Sequence, residues 1–133
     1  MPARFLCDTN VVSELVRQRP NPGVVAWARL VSTLALSAIT VEEISFGLAA
    51  RPNPRLQAWF GDFVATSCEI LPVDEDVARR SGELRGQLRS RGETRSQADM
   101  LIAATAHVHQ MTLVTRNRRD FEGCGLSVLA PFT

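Results

Sequence analysis

The stretch Arg4-Phe5-Leu6-Cys7-Asp8-Thr9-Asn10 decides how the rest of the chain is read. A short apolar run with strand character ends at an acid, and three helix-capping residue types, Asp, Thr and Asn, follow one another. A strand that passes at once into a helix, over residues 4–7 and then 9–17, is the opening of a parallel α/β fold. The same alternation continues outward. Further strands are expected over 34–37, 69–73, 112–115 and, more weakly patterned, 126–129, each brief and flanked by polar residues, Gly or Pro. Helices are expected between them over 22–31, 41–50, 54–66, 75–90 and 97–109. Pro22 suits a first helical turn, where its missing N–H costs nothing. The 75–90 helix opens after Asp74 and stops at Gly92. Its Val77, Ser81, Leu84 and Leu88 keep the spacing of one buried stripe, and Arg85 and Arg89 fall outside it.

The chain has 133 residues, 45% of them hydrophobic, which suits one domain over 1–133 with a single core. No apolar run approaches the roughly 20 residues a membrane span needs. Met1-Pro2-Ala3-Arg4 leads into an apolar run too short for a leader and interrupted by Asp8. A cytoplasmic protein without membrane attachment is expected. Cys7, Cys68 and Cys124 are odd in number and widely spaced, as reduced, buried thiols would be. The net charge of +1 contains no polybasic arm, and every basic side chain is Arg. The absence of Lys removes a P-loop lysine, a Schiff base and a lysine general base. Arg suits bidentate contacts to phosphate, although an Arg-biased genome produces the same composition.

Four acids fall where chemistry is done. Asp8 ends the first strand, and ligands of parallel α/β sheets bind beyond the carboxyl ends of strands; Asp8 is equally a good helix cap. Glu43 lies in Thr40-Val41-Glu42-Glu43-Ile44-Ser45-Phe46-Gly47, where Thr40 and Glu43 make a capping box. Its helix follows a strand, and Gly47 on the same face leaves room for a ligand. Glu42 and Glu43 both flank the stripe Val41, Ile44 and Leu48, so helical spacing does not choose between them. Asp99 follows Ser96 at cap spacing and stands beside the apolar face of Ala98, Ile102 and Ala106, where a carboxylate needs a partner. Asp120 ends Thr115-Arg116-Asn117-Arg118-Arg119-Asp120. There Thr115, Asn117 and Asp120 are either turn and cap residues or a group converging on a metal or water. Arg116, Arg118 and Arg119 are either phosphate contacts or a solvated surface.

The set Asp8-Thr9-Asn10, Glu43-Ile44-x-x-Gly47, Asp99-x-x-Ile102-Ala103-Ala104-Thr105-Ala106 and Leu113-Val114-Thr115-x-Asn117-x-x-Asp120-Phe121 resembles the PIN domain. More narrowly it resembles VapC-type toxins of bacterial VapBC toxin–antitoxin pairs, and Leu36-Ser37-Ala38-Ile39-Thr40 resembles the FitB-like branch. The resemblance spans nearly the whole chain. It implies a doubly wound parallel β-sheet of about five strands flanked by helices. It implies a metal-dependent endoribonuclease with an acidic site for Mg²⁺ or Mn²⁺, with the family's acids falling on Asp8, Glu43, Asp99 and Asp120. Thr9, Thr115 and Asn117 match supporting polar positions. It also implies an RNA substrate, a VapB-like antitoxin laid over the acidic cleft, and a homodimer or a heterotetramer or larger assembly with that antitoxin.

The chemistry accords with this set. Mg²⁺ takes hard oxygen ligands from one or two carboxylates, waters and substrate phosphate, and a bound metal generates the nucleophile without Lys or Ser. His107 and His109, two residues apart, point to different helix faces. A haloacid-dehalogenase-like phosphohydrolase would want a second Asp two residues after Asp8, where Asn10 stands, and a Lys. A receiver-like domain would also want a Lys. The non-enzyme alternative is a catalytically inactive RNA-binding or antitoxin-binding module on the same fold.

Overall fold

The computed structural model describes residues 3–133; Met1 and Pro2, on which part of the leader expectation rests, lie outside the described residues. Five parallel strands, β1 (Phe5–Cys7), β2 (Leu34–Ser37), β3 (Cys68–Leu71), β4 (Thr112–Val114) and β5 (Val128–Leu129), form one sheet in the order β3-β2-β1-β4-β5. Around it lie α1 (Thr9–Leu15), α2 (Pro22–Arg29), α3 (Ala38–Ala50), α4 (Pro54–Ser67), α5 (Glu75–Ser90) and α6 (Gln97–Val108), with a short 3-10 helix over Arg118–Phe121. The expected doubly wound α/β architecture is the one observed.

Alternation along the strands explains the two helical layers. Leu6, Ala35 and Leu113 face one way and pack with Val77, Leu84 and Leu88 of α5 and Met100, Ile102 and Ala103 of α6. Cys7, Leu34, Leu36 and Val114 face the other way and pack with Val11 and Val12 of α1, Val24 of α2, and Trp59, Phe60 and Phe63 of α4. A sheet covered on both faces has near-continuous apolar strands, as parallel sheets do. The predicted α5 stripe is the buried one: Val77, Ser81, Leu84 and Leu88 are inside, and Arg85 and Arg89 are exposed.

Several boundaries differ from expectation. β3 starts earlier and stops at Leu71, because Pro72 has no N–H with which to extend a ladder. β5 contracts to two residues, and α1 ends at Leu15. The largest correction concerns α3, which begins at Ala38 and not at Val41. Ser37, the last residue of β2, is its cap, with Oγ accepting from the Ile39 N–H at 3.0 Å. Thr40 is therefore buried inside the first turns and is no capping-box partner of Glu43. The Val41, Ile44 and Leu48 stripe is only half-buried.

The strand order reverses beside β1: the chain crosses to β2 and β3 on one side and to β4 and β5 on the other. The Asp8 N–H continues the β1–β4 pairing by donating to the Val114 carbonyl at 2.8 Å. The first residues beyond the two central strands, Asp8 and Thr115, thus stand together at the switch point, where such sheets bind ligands.

Candidate active site

Asp8 uses its two carboxylate oxygens differently. Oδ1 caps α1 by accepting from the Thr9 N–H at 2.8 Å. Oδ2 accepts from the Thr115 hydroxyl at 2.8 Å and from the Asn10 amide at 3.3 Å. The capping alternative offered by the sequence is met, and the same buried side chain also lines the cleft described below. Burial pushes the Asp8 carboxyl above the usual carboxylate range; the charges of Asp99 and Glu43 add to this, and the Thr115 and Thr9 donors oppose it.

Glu43 extends from α3 to α1, where Oε1 accepts from the Thr9 hydroxyl at 2.6 Å. Thr9 Oγ1 also lies 3.1 Å from the Thr40 hydroxyl. Asp99 stands in the first turn of α6, and the cap there is Ser96, whose Oγ accepts from the Asp99 N–H at 3.1 Å. The Asp99 carboxyl is raised by burial first, then by the charges of Asp120 and Glu43, against the lowering influence of Ser96 and Arg95. Asp120, on the 3-10 helix, is held through its backbone carbonyl, which accepts from Arg95 Nη1 at 2.7 Å.

Asp8, Glu43, Asp99 and Asp120 all line one open cleft of about 470 Å³, together with Thr9, Asn117 and Arg116. Glu42 is exposed and does not line it, so Glu43 is the member of the pair that faces the other acids. Thr115 lies buried beneath the cleft, donating to Asp8 and accepting from the Asn117 N–H at 3.1 Å. Arg118 and Arg119 are exposed and lie outside the cleft lining, so Arg116 alone of the three basic candidates reaches the site. Sequence reasoning missed Asn10, Ser13, Glu14 and Arg17, which also line the cleft. Asn10, Ser13 and Glu14 share one face of α1, and Arg17, just beyond its end, continues the same spacing, which was the available signal. Glu14 is only 5% exposed. It accepts from the Asn21 N–H at 2.9 Å and pairs with Arg17 at 3.3 Å and Arg116 at 3.8 Å, setting two guanidinium groups at the rim.

The donor set is made of carboxylate and hydroxyl oxygens, with no thiol or imidazole in the lining, which suits Mg²⁺ or Mn²⁺ over softer metals. Burial pushes the Cys7 thiol well up, and His107 lies 3.4 Å from Arg80 rather than in the cleft. Among the described residues no three His, Cys, Asp or Glu side chains stand close enough to enclose an ion by themselves. Carboxylates spread around one open cleft fit a cation that keeps several waters and completes its shell with substrate phosphate. Burial is the main cause of the raised Asp8 and Asp99 carboxyls, and the like charges that add to it are the ones such a cation would relieve.

The PIN domain profile matches residues 5–123, and the chain belongs to the PIN domain family. Within that family it is similar to VapC-type proteins. It is 40% identical to the VapC ribonuclease Y4jK of Sinorhizobium fredii, over 96% of this chain and 97% of that one. It is 36% identical to Toxin FitB of Neisseria gonorrhoeae, over 96% and 98% of the two chains, and the crystal structure of FitAcB from that organism superposes with a TM-score of 0.82, covering 96% and 97%. A DNA-bound VapBC structure from Salmonella typhimurium, 26% identical, gives a TM-score of 0.86 over 96% and 98%.

Proposed function

We propose that this chain is a metal-dependent endoribonuclease and acts as the toxin of a type II toxin–antitoxin pair in the cytoplasm. The observation that carries the reading is the meeting of Asp8, Glu43, Asp99 and Asp120, delivered by four different elements, on one cleft at the switch point of the sheet. Relatives of similar length that bear the names ribonuclease and toxin support it. A divalent cation bound there would supply an activated water and offset charge on the phosphodiester. Asp8, Glu43, Asp99 and Asp120 are the residues that would hold it. Thr115 and Thr9 fix the orientation of the Asp8 and Glu43 carboxylates through their hydroxyls. Arg17 and Arg116, tethered by Glu14, draw the RNA backbone to the rim.

The partner reading is a VapB-like antitoxin. A groove of about 540 Å³ between α1, α3 and α4 is lined by Val12, Val16, Ile44, Leu48, Trp59 and Phe60, and shares Thr9, Ser13, Arg17 and Glu43 with the acidic cleft. An amphipathic segment with its apolar face in this groove could turn a basic side chain into the acids. Exposed apolar residues such as Phe46, 71% exposed on α3, accord with further contacts in a homodimer or a larger assembly.

Incubation of the purified chain with RNA tests the proposal. Cleavage should disappear in EDTA and return with excess Mg²⁺ or Mn²⁺, and the protein encoded beside this chain should co-purify with it and abolish cleavage. Full cleavage in chelator refutes the metal site. A neighbouring protein that neither binds nor inhibits refutes the toxin assignment.

A further inference from the structure

A second polar cavity, of about 290 Å³, lies between α5 and the segment leading to α6, lined by Gly82, Arg85, Gly86, Arg89, Thr94 and Arg95. Its floor is open because Gly82 and Gly86, one turn apart, carry no side chains, and a Cβ at either position would meet nothing within 4 Å. Arg85 and Arg89 are also one turn apart and flank that floor. Both are exposed, and neither is among the ion pairs of the described residues. Arg95 is the fixed member: its side chain is 13% exposed and reaches Glu93 at 3.8 Å. Its Nη1 donates to the Asp120 carbonyl at 2.7 Å. One residue of this cavity thus touches one residue of the acidic cleft.

Three guanidinium groups and a hydroxyl around a small open cavity are the chemistry of phosphate recognition. We propose that this cavity is a phosphate-binding subsite for the RNA backbone. A strand crossing the acids would then be held by Arg17 and Arg116 on one side and by Arg85, Arg89 and Arg95 on the other. The proposal rests on the nuclease reading and adds the path of the substrate to it.

The test uses the full chain with Asp99→Asn, to prevent turnover, and a fluorescent single-stranded oligoribonucleotide of about a dozen nucleotides. Binding is followed by anisotropy over a range of salt, with and without Arg85→Gln/Arg89→Gln. Each phosphate contact on a single strand contributes about 0.7 to the slope of log affinity against log salt. The double variant should bind more weakly, with a slope shallower by about 0.7 for the one phosphate lost. A second variant, Gly82→Gln/Gly86→Gln, fills the cavity and leaves the three Arg side chains present; it should weaken binding as well. In the otherwise wild-type chain the Arg variant should raise KM and leave kcat in place, as loss of uniform binding does. Unchanged affinity and slope in both variants, beside a parent chain that binds RNA, overturns the subsite and leaves the nuclease reading standing. Loss of binding to the antitoxin alone also overturns it and assigns the cavity to the partner. An otherwise wild-type chain that neither binds nor cleaves RNA overturns both.

Discussion

Asp99 combines two pressures that a substitution can separate. It sits in a first helical turn, where a negative charge is favoured, yet its own N–H is already capped by Ser96 and its carboxyl faces Asp120 and Glu43. Asp99→Asn should fold and melt within a few degrees of wild type, because Asn keeps the size and a hydrogen-bonding oxygen. RNA cleavage should fall by at least about a hundredfold, the upper end of what losing even an outer partner of a metal ligand costs. Ser96→Ala removes the cap and should cost about 1 kcal/mol in thermal or denaturant unfolding, with most activity kept in the folded fraction. Normal cleavage by Asp99→Asn, with the damage confined to Ser96→Ala, would make Asp99 a purely structural residue. The raised Asp8 and Asp99 carboxyls also set a pH dependence. Above the unfolded value of 3.8 and up to the raised folded values, the folded chain binds more protons than the unfolded chain. Their contribution to stability is full below the unfolded value and is lost as pH rises through the folded values. In chelator, Asp99→Asn should therefore gain stability relative to wild type as pH rises from 3.8 through the raised folded value, and saturating Mg²⁺ should reduce the difference. Parallel pH profiles for the two proteins would contradict this.

The junction of β2 with α3 shows how an element can be foreseen and its start misplaced. Thr40 and Glu43 have capping-box spacing, but Ser37 three residues earlier is the observed cap, because the helix begins at the strand end with no intervening loop. The earlier start puts Thr40 inside the helix beside Thr9 and frees Glu43 to line the cleft. Ser37→Ala should lower unfolding stability by about 1 kcal/mol, with the Ile39 N–H left unpaired; no loss in Ser37→Ala would contradict the observed start. Local patterning was decisive for α5, whose predicted stripe is the buried one, because a long amphipathic helix repeats its signal over four turns. It was weak for β5 and for both ends of β3, where two to four residues carry too little period to set a boundary. The same limit applied to the site. Strand-end and helix-start positions made the four acids visible, and the Glu14–Arg17 pair has local i,i+3 spacing, whereas the approach of Arg116 to the buried Glu14 is a tertiary contact that no local spacing encodes.

At the scale of the whole molecule, the parallel sheet and its reversal beside β1 bring residues more than a hundred positions apart, such as Asp8 and Thr115, into one hydrogen-bonded group. Neither face of the sheet is free, since both are covered by helices, and the strand ends at the reversal open onto the acidic cleft. The apolar groove beside α4 shares Thr9, Ser13, Arg17 and Glu43 with that cleft, and the Arg-lined cavity beside α5 is linked to it through the hydrogen bond of Arg95 to the Asp120 carbonyl. The central claim is that Asp8, Glu43, Asp99 and Asp120 act there as one metal-binding unit. Titration of Mn²⁺ into the purified chain, followed by calorimetry at neutral pH, tests it most directly. Wild type should bind the ion. Asp8→Asn, Glu43→Gln, Asp99→Asn and Asp120→Asn should each weaken binding by at least about tenfold, and Glu42→Gln should bind as wild type does. Undiminished binding in the four variants, or a loss confined to Glu42→Gln, would contradict the account.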